Sequence, residues 1–315
     1  MELPKLLEDA INEQIKNISI SELKSSANAI SNRYMNEKRT GKTLLNKEVE
    51  ALAYAVIRMP ATYAADMMTL KYTFNTANCK IDTVIDVGSG TGAMAWAISN
   101  TMKVKNINCL DRENVMSNLA KCLMKNTLTN VSWENIDILK EDIKDTYDLV
   151  TASYVLNELS KEDRIKVIDK LYKTTNKILL IVEPGTMEGF EIIKKATQYA
   201  IDKGAYIIAP CTNQDKCKLP ENDWCHATVR VQRNKMHKYM KNAVVPYEDE
   251  KFTYIAISKQ DYGNASKRIL RHPIIEKGKI TLKICNCGNI EELIVTKKDK
   301  EKFKLIKKKK CGDEI

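Results

Sequence analysis

Two stretches hold residues of types and spacings that chemistry can use. The first is Val84-Ile85-Asp86-Val87-Gly88-Ser89-Gly90-Thr91-Gly92. A short apolar run ends in a carboxylate and alternating glycines, and an amphipathic segment starts at Ala93. That order reads as strand, tight turn, helix. Glycine lets the backbone turn sharply and lets a ligand approach where a Cβ would clash. The pattern G-x-G-x-G is shorter than the dinucleotide fingerprint and lacks the lysine of a phosphate-binding G-K-[ST] loop. A nucleoside ligand without a pyrophosphate fits it better than NAD or ATP, and S-adenosylmethionine is such a ligand. Asp111, about twenty residues on, stands where a carboxylate accepts from ribose hydroxyls.

The second stretch carries Cys211, Cys217 and Cys225 in a polar loop with Pro210 and Pro220. Free cysteines usually behave as small buried hydrophobes, the reading given to Cys79, Cys109 and Cys122. The loop cysteines are different and point to metal. Three thiolates leave a tetrahedral metal or an iron–sulfur cluster one ligand short. His226, Cys285, Cys287 and Cys311 are the candidates for the fourth. His226 directly follows Cys225, which makes joint ligation awkward, whereas Cys285 and Cys287 stand at a strand end before Gly288. The spacing is not that of paired C-x2-C knuckles, so iron–sulfur competes with zinc.

These residues need a frame. Residues 81–183 alternate strand and helix patterns, with strands at 83–87, 106–110, 131–135, 148–153 and 177–182. Such alternation implies a parallel sheet covered on both faces, with ligands beyond the carboxyl ends of its strands. Gly88 to Gly92, Asp111, Asp137 and Tyr154 all fall at such ends. Residues 1–80 read as helical, with apolar residues at helical spacing. A first segment runs from Leu3 to Ile15, and a second, capped by Ser19 or Ser21, carries Leu23 to Tyr34 and is broken at Gly41. A third (47–59) stops before Pro60, and a fourth covers 61–74. Past a helix at 189–203 come strands at 205–209 and 252–258, then a small β unit at 280–285, 290–296 and 303–306. The division expected is a helical region at 1–80, a cofactor-binding domain at 81–204 and a cysteine-bearing, basic β region at 205–315.

The chain has 315 residues and a formal net charge of +10. With 43% apolar and 29% charged residues it has the composition of an ordinary globular protein. A basic balance favours a polyanion, nucleic acid above all, and the lysine-rich segment 297–310 could hold RNA backbone; a solvated charged tail is the other reading of Lys307 to Lys310. The N-terminus has neither a signal h-region nor transit-peptide character, and the longest apolar run, 178–182, is too short to span a bilayer. A cytoplasmic protein away from membranes, with a monomer favoured, is expected. Nine cysteines in a reducing compartment are then unlikely disulfides.

Asp86 to Gly92, Asp111 and Tyr154-Val155-Leu156-Asn157-Glu158-Leu159 make the segment resemble the class I S-adenosylmethionine-dependent methyltransferases. A more specific resemblance covers most of the chain. Leu52 through Tyr63, the glycine loop, Tyr154 to Leu159, Glu183-Pro184-Gly185-Thr186 and Ala209-Pro210-Cys211 carry it. So do Cys217, Trp224-Cys225-His226, Arg230, Arg233, Tyr247 through Phe252, Arg268 through Pro273, Cys285 and Gly312-Asp313. By these the chain resembles the family of the mitochondrial small-ribosomal-subunit methyltransferase-like protein and its bacterial relatives. The absence of a targeting segment suits a bacterial-type member. Cys311 replaces the family's tryptophan before Gly-Asp and is given no role.

The resemblance implies a Rossmann-like class I methyltransferase sheet with an N-terminal helical region and a small, cysteine-ligated β unit. It implies S-adenosylmethionine, for which Asp86, Gly88, Ser89, Gly90, Gly92, Asp111, Asp137 and Tyr154 are the site residues. It further implies a 4Fe-4S cluster on Cys211, Cys217, Cys225 and Cys285, with Cys287 the close alternative and zinc the alternative metal. The partner implied is the small ribosomal subunit and its RNA, in assembly or translation. Two other readings stay open: a catalytic ribosomal-RNA methyltransferase, and a small-molecule methyltransferase with a zinc or iron–sulfur lid. The position after the fourth strand reads Ser153-Tyr154-Val155-Leu156, without the Asn/Asp-Pro-Pro-aromatic turn common in amino-methylating enzymes. No catalytic base is named.

Overall fold

The computed structural model describes residues 1–36, 45 and 47–315, with the side chains of 34–36 left aside. The expected break at Gly41 lies outside the described residues. Four helices come first: α1 (Lys5–Ile15), α2 (Ile20–Asn36), α3 (Glu48–Ile57) and α4 (Met59–Thr76). The third helix stops short of Pro60, as expected, at Ile57, and Pro60 opens the next one. It stands in the first turn of α4, where a missing N–H breaks no intrahelical bond and the fixed φ already suits a helix. Nearly every residue of α4 from Met59 to Leu70 is buried, so this helix is part of the core.

The main sheet has eight strands. Five are parallel and alternate with helices: β1 (Thr83–Val87), α5 (Ala93–Thr101), β2 (Asn106–Asp111), α6 (Asn114–Met124), β3 (Asn130–Asn135), β4 (Tyr147–Ser153), α7 (Lys161–Thr174) and β5 (Thr175–Pro184). α8 (Met187–Asp202) follows, then three strands that join antiparallel: β6 (Tyr206–Ala209), β7 (Ala227–Gln232) and, past α9 (Lys235–Met240), β8 (Tyr247–Ser258). The order is β3-β2-β1-β4-β5-β8-β6, with β7 on β8. The central strands are mostly apolar, as burial on both faces favours. The N-terminal helices, α5 and α6 cover one face; α7 and α8 cover the other. The sheet therefore runs past residue 204 to residue 258, because β8 pairs with β5 along Pro184 to Ile178.

A second sheet of four strands holds β9 (Lys267–Ile269), β10 (Ile274–Glu276), β11 (Lys279–Asn286) and β12 (Asn289–Thr296) around its own core of Ile269, Ile280, Leu282, Ile284, Val295 and Ile306. The strand expected at 303–306 is instead helix α10 (Lys300–Ile306). Asp299 caps it by accepting from Lys302 N at 3.0 Å. Phe303 and Ile306, three apart, then share one face toward β11 and β12. Of the cysteines read as core, Cys109 is buried, Cys79 half-buried and Cys122 exposed on α6. Among the described residues no helix is long and apolar enough to cross a membrane.

Gly189, in the first turn of α8, shows how closely the sheet end is packed. A Cβ there would lie 2.0 Å from Pro184 O. Gly189→Ala should lower stability by about 1–3 kcal/mol, read as a shifted urea midpoint with an unchanged slope.

Candidate cofactor pocket and cysteine cavity

The pocket opens at the carboxyl ends of β1, β2 and β4, where the strand order reverses. Gly88, Gly90 and Gly92 take φ of +69°, +53° and +84°, which side chains rarely tolerate. Gly88 N and Ser89 N donate to Leu110 O at 2.7 and 3.0 Å. Gly90 N donates to Asp111 Oδ2 and Glu113 N to Asp111 Oδ1, both at 2.7 Å. Asp111 thus shapes the loop and keeps further lone pairs for a ligand. Burial is the first cause raising its pKa, and these two N–H groups oppose it.

Six of the eight residues expected here line the pocket: Gly88, Ser89, Gly90, Asp111, Asp137 and Tyr154. Asp137 Oδ1 accepts from Leu139 N at 3.0 Å, closing its own turn. Tyr154 has φ +59° and donates its hydroxyl to Glu250 Oε1 at 2.8 Å. The other two stand behind the wall. Asp86 is 1% exposed and accepts from Thr151 Oγ1 at 2.7 Å, and burial pushes it up to about 7. Gly92 makes room for a ring, since a Cβ there would lie 2.9 Å from Trp133. Tyr54, Thr62, Ser153 and Met116 also line the pocket. Periodicity had placed Tyr54 and Thr62 only in packing helices; the signal for them was the specific stretch Leu52 through Tyr63.

Cys211, Cys217, Cys225 and Cys285 line one cavity of about 230 Å³. Three come from the loop between β6 and β7, the fourth from β11, so the cavity lies where the two sheets meet. Burial pushes the Cys211 thiol up to about 12 and raises Cys217 and Cys225 as well. The β11–β12 turn docks on the loop through Gly288 N, which donates to Thr212 Oγ1 at 2.9 Å. Thr212 Oγ1 also lies 3.3 Å from Cys285 Sγ. The other fourth-ligand candidates are absent from the cavity lining. Cys287 is exposed at φ +46°. Cys311 is buried and donates to His226 O and Leu270 O at 3.1 and 3.2 Å. Among the described residues, no three His, Cys, Asp or Glu side chains converge on a point that could hold a metal ion.

One more lining residue is Arg268, 2% exposed. It donates to Pro210 O, Gly312 O and Glu314 Oε1 at 3.3, 2.8 and 2.9 Å. The cavity also leans on the sheet end, because Trp224 Nε1 donates to Gly185 O at 2.9 Å. Next to Gly185, Glu183 Oε1 accepts from Leu156 N at 2.9 Å under the pocket.

Burial above all holds the fully enclosed Glu183 carboxyl at about 8, against an ordinary 4.5. The folded protein therefore keeps a proton that the unfolded chain has released. The protonated carboxyl's contribution is complete below pH 4.5 and is lost as pH rises to about 8. Wild-type stability should fall across that window relative to Glu183→Gln, which has no proton to lose. The gap in urea stability between the two should change by a few kcal/mol; parallel profiles would show that Glu183 ionises normally.

The family model for the mitochondrial small ribosomal subunit protein Rsm22 matches residues 48–315. The human mitochondrial ribosome assembly protein METTL17 is 28% identical over 162 residues, covering 45% of this chain and 35% of that protein. The mitochondrial Rsm22-cox11 tandem protein 2 of Schizosaccharomyces pombe is 26% identical over 205 residues, covering 57% of this chain and 27% of that protein. The chain thus spans about a third of the length of these relatives. Magnesium protoporphyrin IX methyltransferase from Synechocystis PCC 6803, solved with bound S-adenosylmethionine, superposes with a TM-score of 0.43 at 11% identity, covering 75% of this chain and 97% of that one. On the extent of the family match, this chain belongs to the mitochondrial small ribosomal subunit Rsm22 family.

Proposed function

We propose that this chain is an S-adenosylmethionine-binding, iron–sulfur-containing, methyltransferase-like factor that acts on the small ribosomal subunit through its RNA. The observation that carries the reading is the single cavity lined by Cys211, Cys217, Cys225 and Cys285 beside a buried guanidinium. Four thiols spread around a space, rather than converging on a point, suit a polynuclear cluster better than one zinc ion. Four thiolates and a cluster make an anion, which Arg268 complements. The cluster would supply a cross-link between the two sheets, joining residues far apart in the chain.

The pocket fits the cofactor on its own chemistry. Gly88 and Gly90 leave backbone free of Cβ atoms along the ligand's path, and Asp111 offers acceptors to a ribose. The loop residues hold and orient; none of them is assigned a proton-transfer step. Val155 packs directly on Gly88, where a Cβ would meet its Cγ2 at 2.3 Å, so an apolar side chain stands beside the glycine turn. Nothing at this end favours methyl transfer over cofactor binding alone.

The RNA-facing surface is the second sheet with α10. Residues 267–310 hold fifteen Lys and Arg against five Asp and Glu, an excess equal to the +10 of the whole chain. Lys302, Lys304, Lys307 and Lys308 are exposed on and after α10. Cationic side chains concentrated on one unit neutralise phosphates and release counterions, which makes binding steeply salt-dependent.

Purification without oxygen should yield a coloured protein with about four iron and four sulfide per chain. Cys285→Ser should lose most of the iron and Cys287→Ser should keep it; a colourless zinc protein would overturn the cluster. The protein should co-sediment with small ribosomal subunits in a salt-sensitive way. Replacing Lys302, Lys304, Lys307 and Lys308 with Glu should weaken that association at least tenfold and flatten its salt dependence. Unchanged sedimentation would remove α10 from the interface.

A further inference from the structure

We infer that Ser153, oriented by the buried Asp66, is the acceptor for the α-ammonium group of the pocket's ligand, with Asp66 as its positioning residue. The inference rests on the cofactor reading above and adds which atoms recognise the amino-acid end.

Ser153 ends β4 and lines the pocket. Its Oγ donates to Asp66 Oδ1 at 2.6 Å. A serine hydroxyl has one proton and two lone pairs. With the proton committed to Asp66, Ser153 can offer the pocket only an acceptor. Asp66 itself is 0% exposed, on α4 one turn beyond the pocket residue Thr62. Its Oδ2 has no hydrogen-bond partner among the described residues, and neither has Oδ2 of Asp86. Burial above all, and after it the neighbouring Asp86, raise the Asp66 carboxyl, while the Ser153 hydroxyl opposes them.

Position supports the same assignment. β1 lies between β2, which carries Asp111, and β4, which carries Ser153. Asp111 and Ser153 are therefore two strand spacings apart, about 10 Å. A ligand whose ribose meets Asp111 extends its amino-acid end toward Ser153. The ammonium is the cationic group there that bears N–H donors; a sulfonium has none. A cation with donors meets an acceptor-only hydroxyl, and a hydrogen bond to a charged group is the stronger kind.

The test is equilibrium binding of three ligands to the full chain: S-adenosylmethionine, S-adenosylhomocysteine and 5′-methylthioadenosine, which lacks the amino-acid end. Ser153→Ala should weaken the first two about tenfold and leave the third within about twofold. Asp66→Leu, which frees the Ser153 proton to point into the pocket, should show the same pattern, with melting temperature recorded to separate folding from recognition. Equal weakening of all three ligands would make the pair merely structural, and weakening of S-adenosylmethionine alone would shift recognition to the sulfonium; either overturns the inference. A wild-type chain that binds none of the three would instead defeat the cofactor reading itself.

Discussion

The guanidinium of Arg268 is the constraint to which the C-terminal half of the molecule answers. An ion removed from water costs several kcal/mol unless its donors are all met. Arg268 meets its acceptors on two segments: Pro210 at the start of the cysteine loop, and Gly312 and Glu314 near the C-terminus. The ring of Tyr72, from α4, lies 4.9 Å from the guanidinium carbon, and its hydroxyl donates to Asp313 at 2.9 Å. β9, a strand of the second sheet, cannot part from the cysteine loop and the C-terminal segment without stripping that charge of its partners. The second sheet, the C-terminal segment and the N-terminal helices are thereby held in one arrangement. The cysteines gather where this arrangement closes.

The pocket and the cavity are built on the same two strands. β5 ends at Glu183-Pro184, with Glu183 under the pocket and the next residue, Gly185, accepting from Trp224 beside Cys225. β8 carries Glu250, which accepts from Tyr154 of the pocket, and then Thr253 and Tyr254, which line the cavity. A close backbone approach fixes their spacing, for Gly185 N donates to Lys251 O at 2.9 Å and a Cβ on Gly185 would lie 2.7 Å from that backbone. The glycine-turn pocket and the thiol-lined cavity thus share one edge, while the basic second sheet hangs from the cavity side.

Much of this frame was legible in the chain. Three of the five parallel strands, β1, β2 and β5, stand where apolar runs end in Asp86, Asp111 and Glu183, because a strand buried in the sheet writes a near-continuous apolar signal. β7, β9 and β10 were not legible, since short strands acquire their partners from elsewhere in the chain. Residues 303–306 were misread because four residues with apolar ends fit both periods, and only the cap at Asp299 and the packing of Ile306 decided for a helix. Pro60 was legible as a boundary, and it stands in the first turn of the helix that follows.

The sequence by itself determined the chemistry available: a glycine turn after a buried strand, a carboxylate at the next strand end, three cysteines in one loop, and lysines concentrated near the C-terminus. These are local facts, carried by neighbours along the chain. The tertiary structure alone decided which distant groups meet. Cys285 and Cys287 are chemically alike and two residues apart, positions that a continuing strand would put on one face, yet β11 ends at Asn286 and the chain turns at Cys287 with φ +46°, leaving Cys285 on the cavity and Cys287 exposed. Asp66 and Ser153 carry no mark in the sequence; the packing of α4 on the sheet brings one to within 2.6 Å of the other.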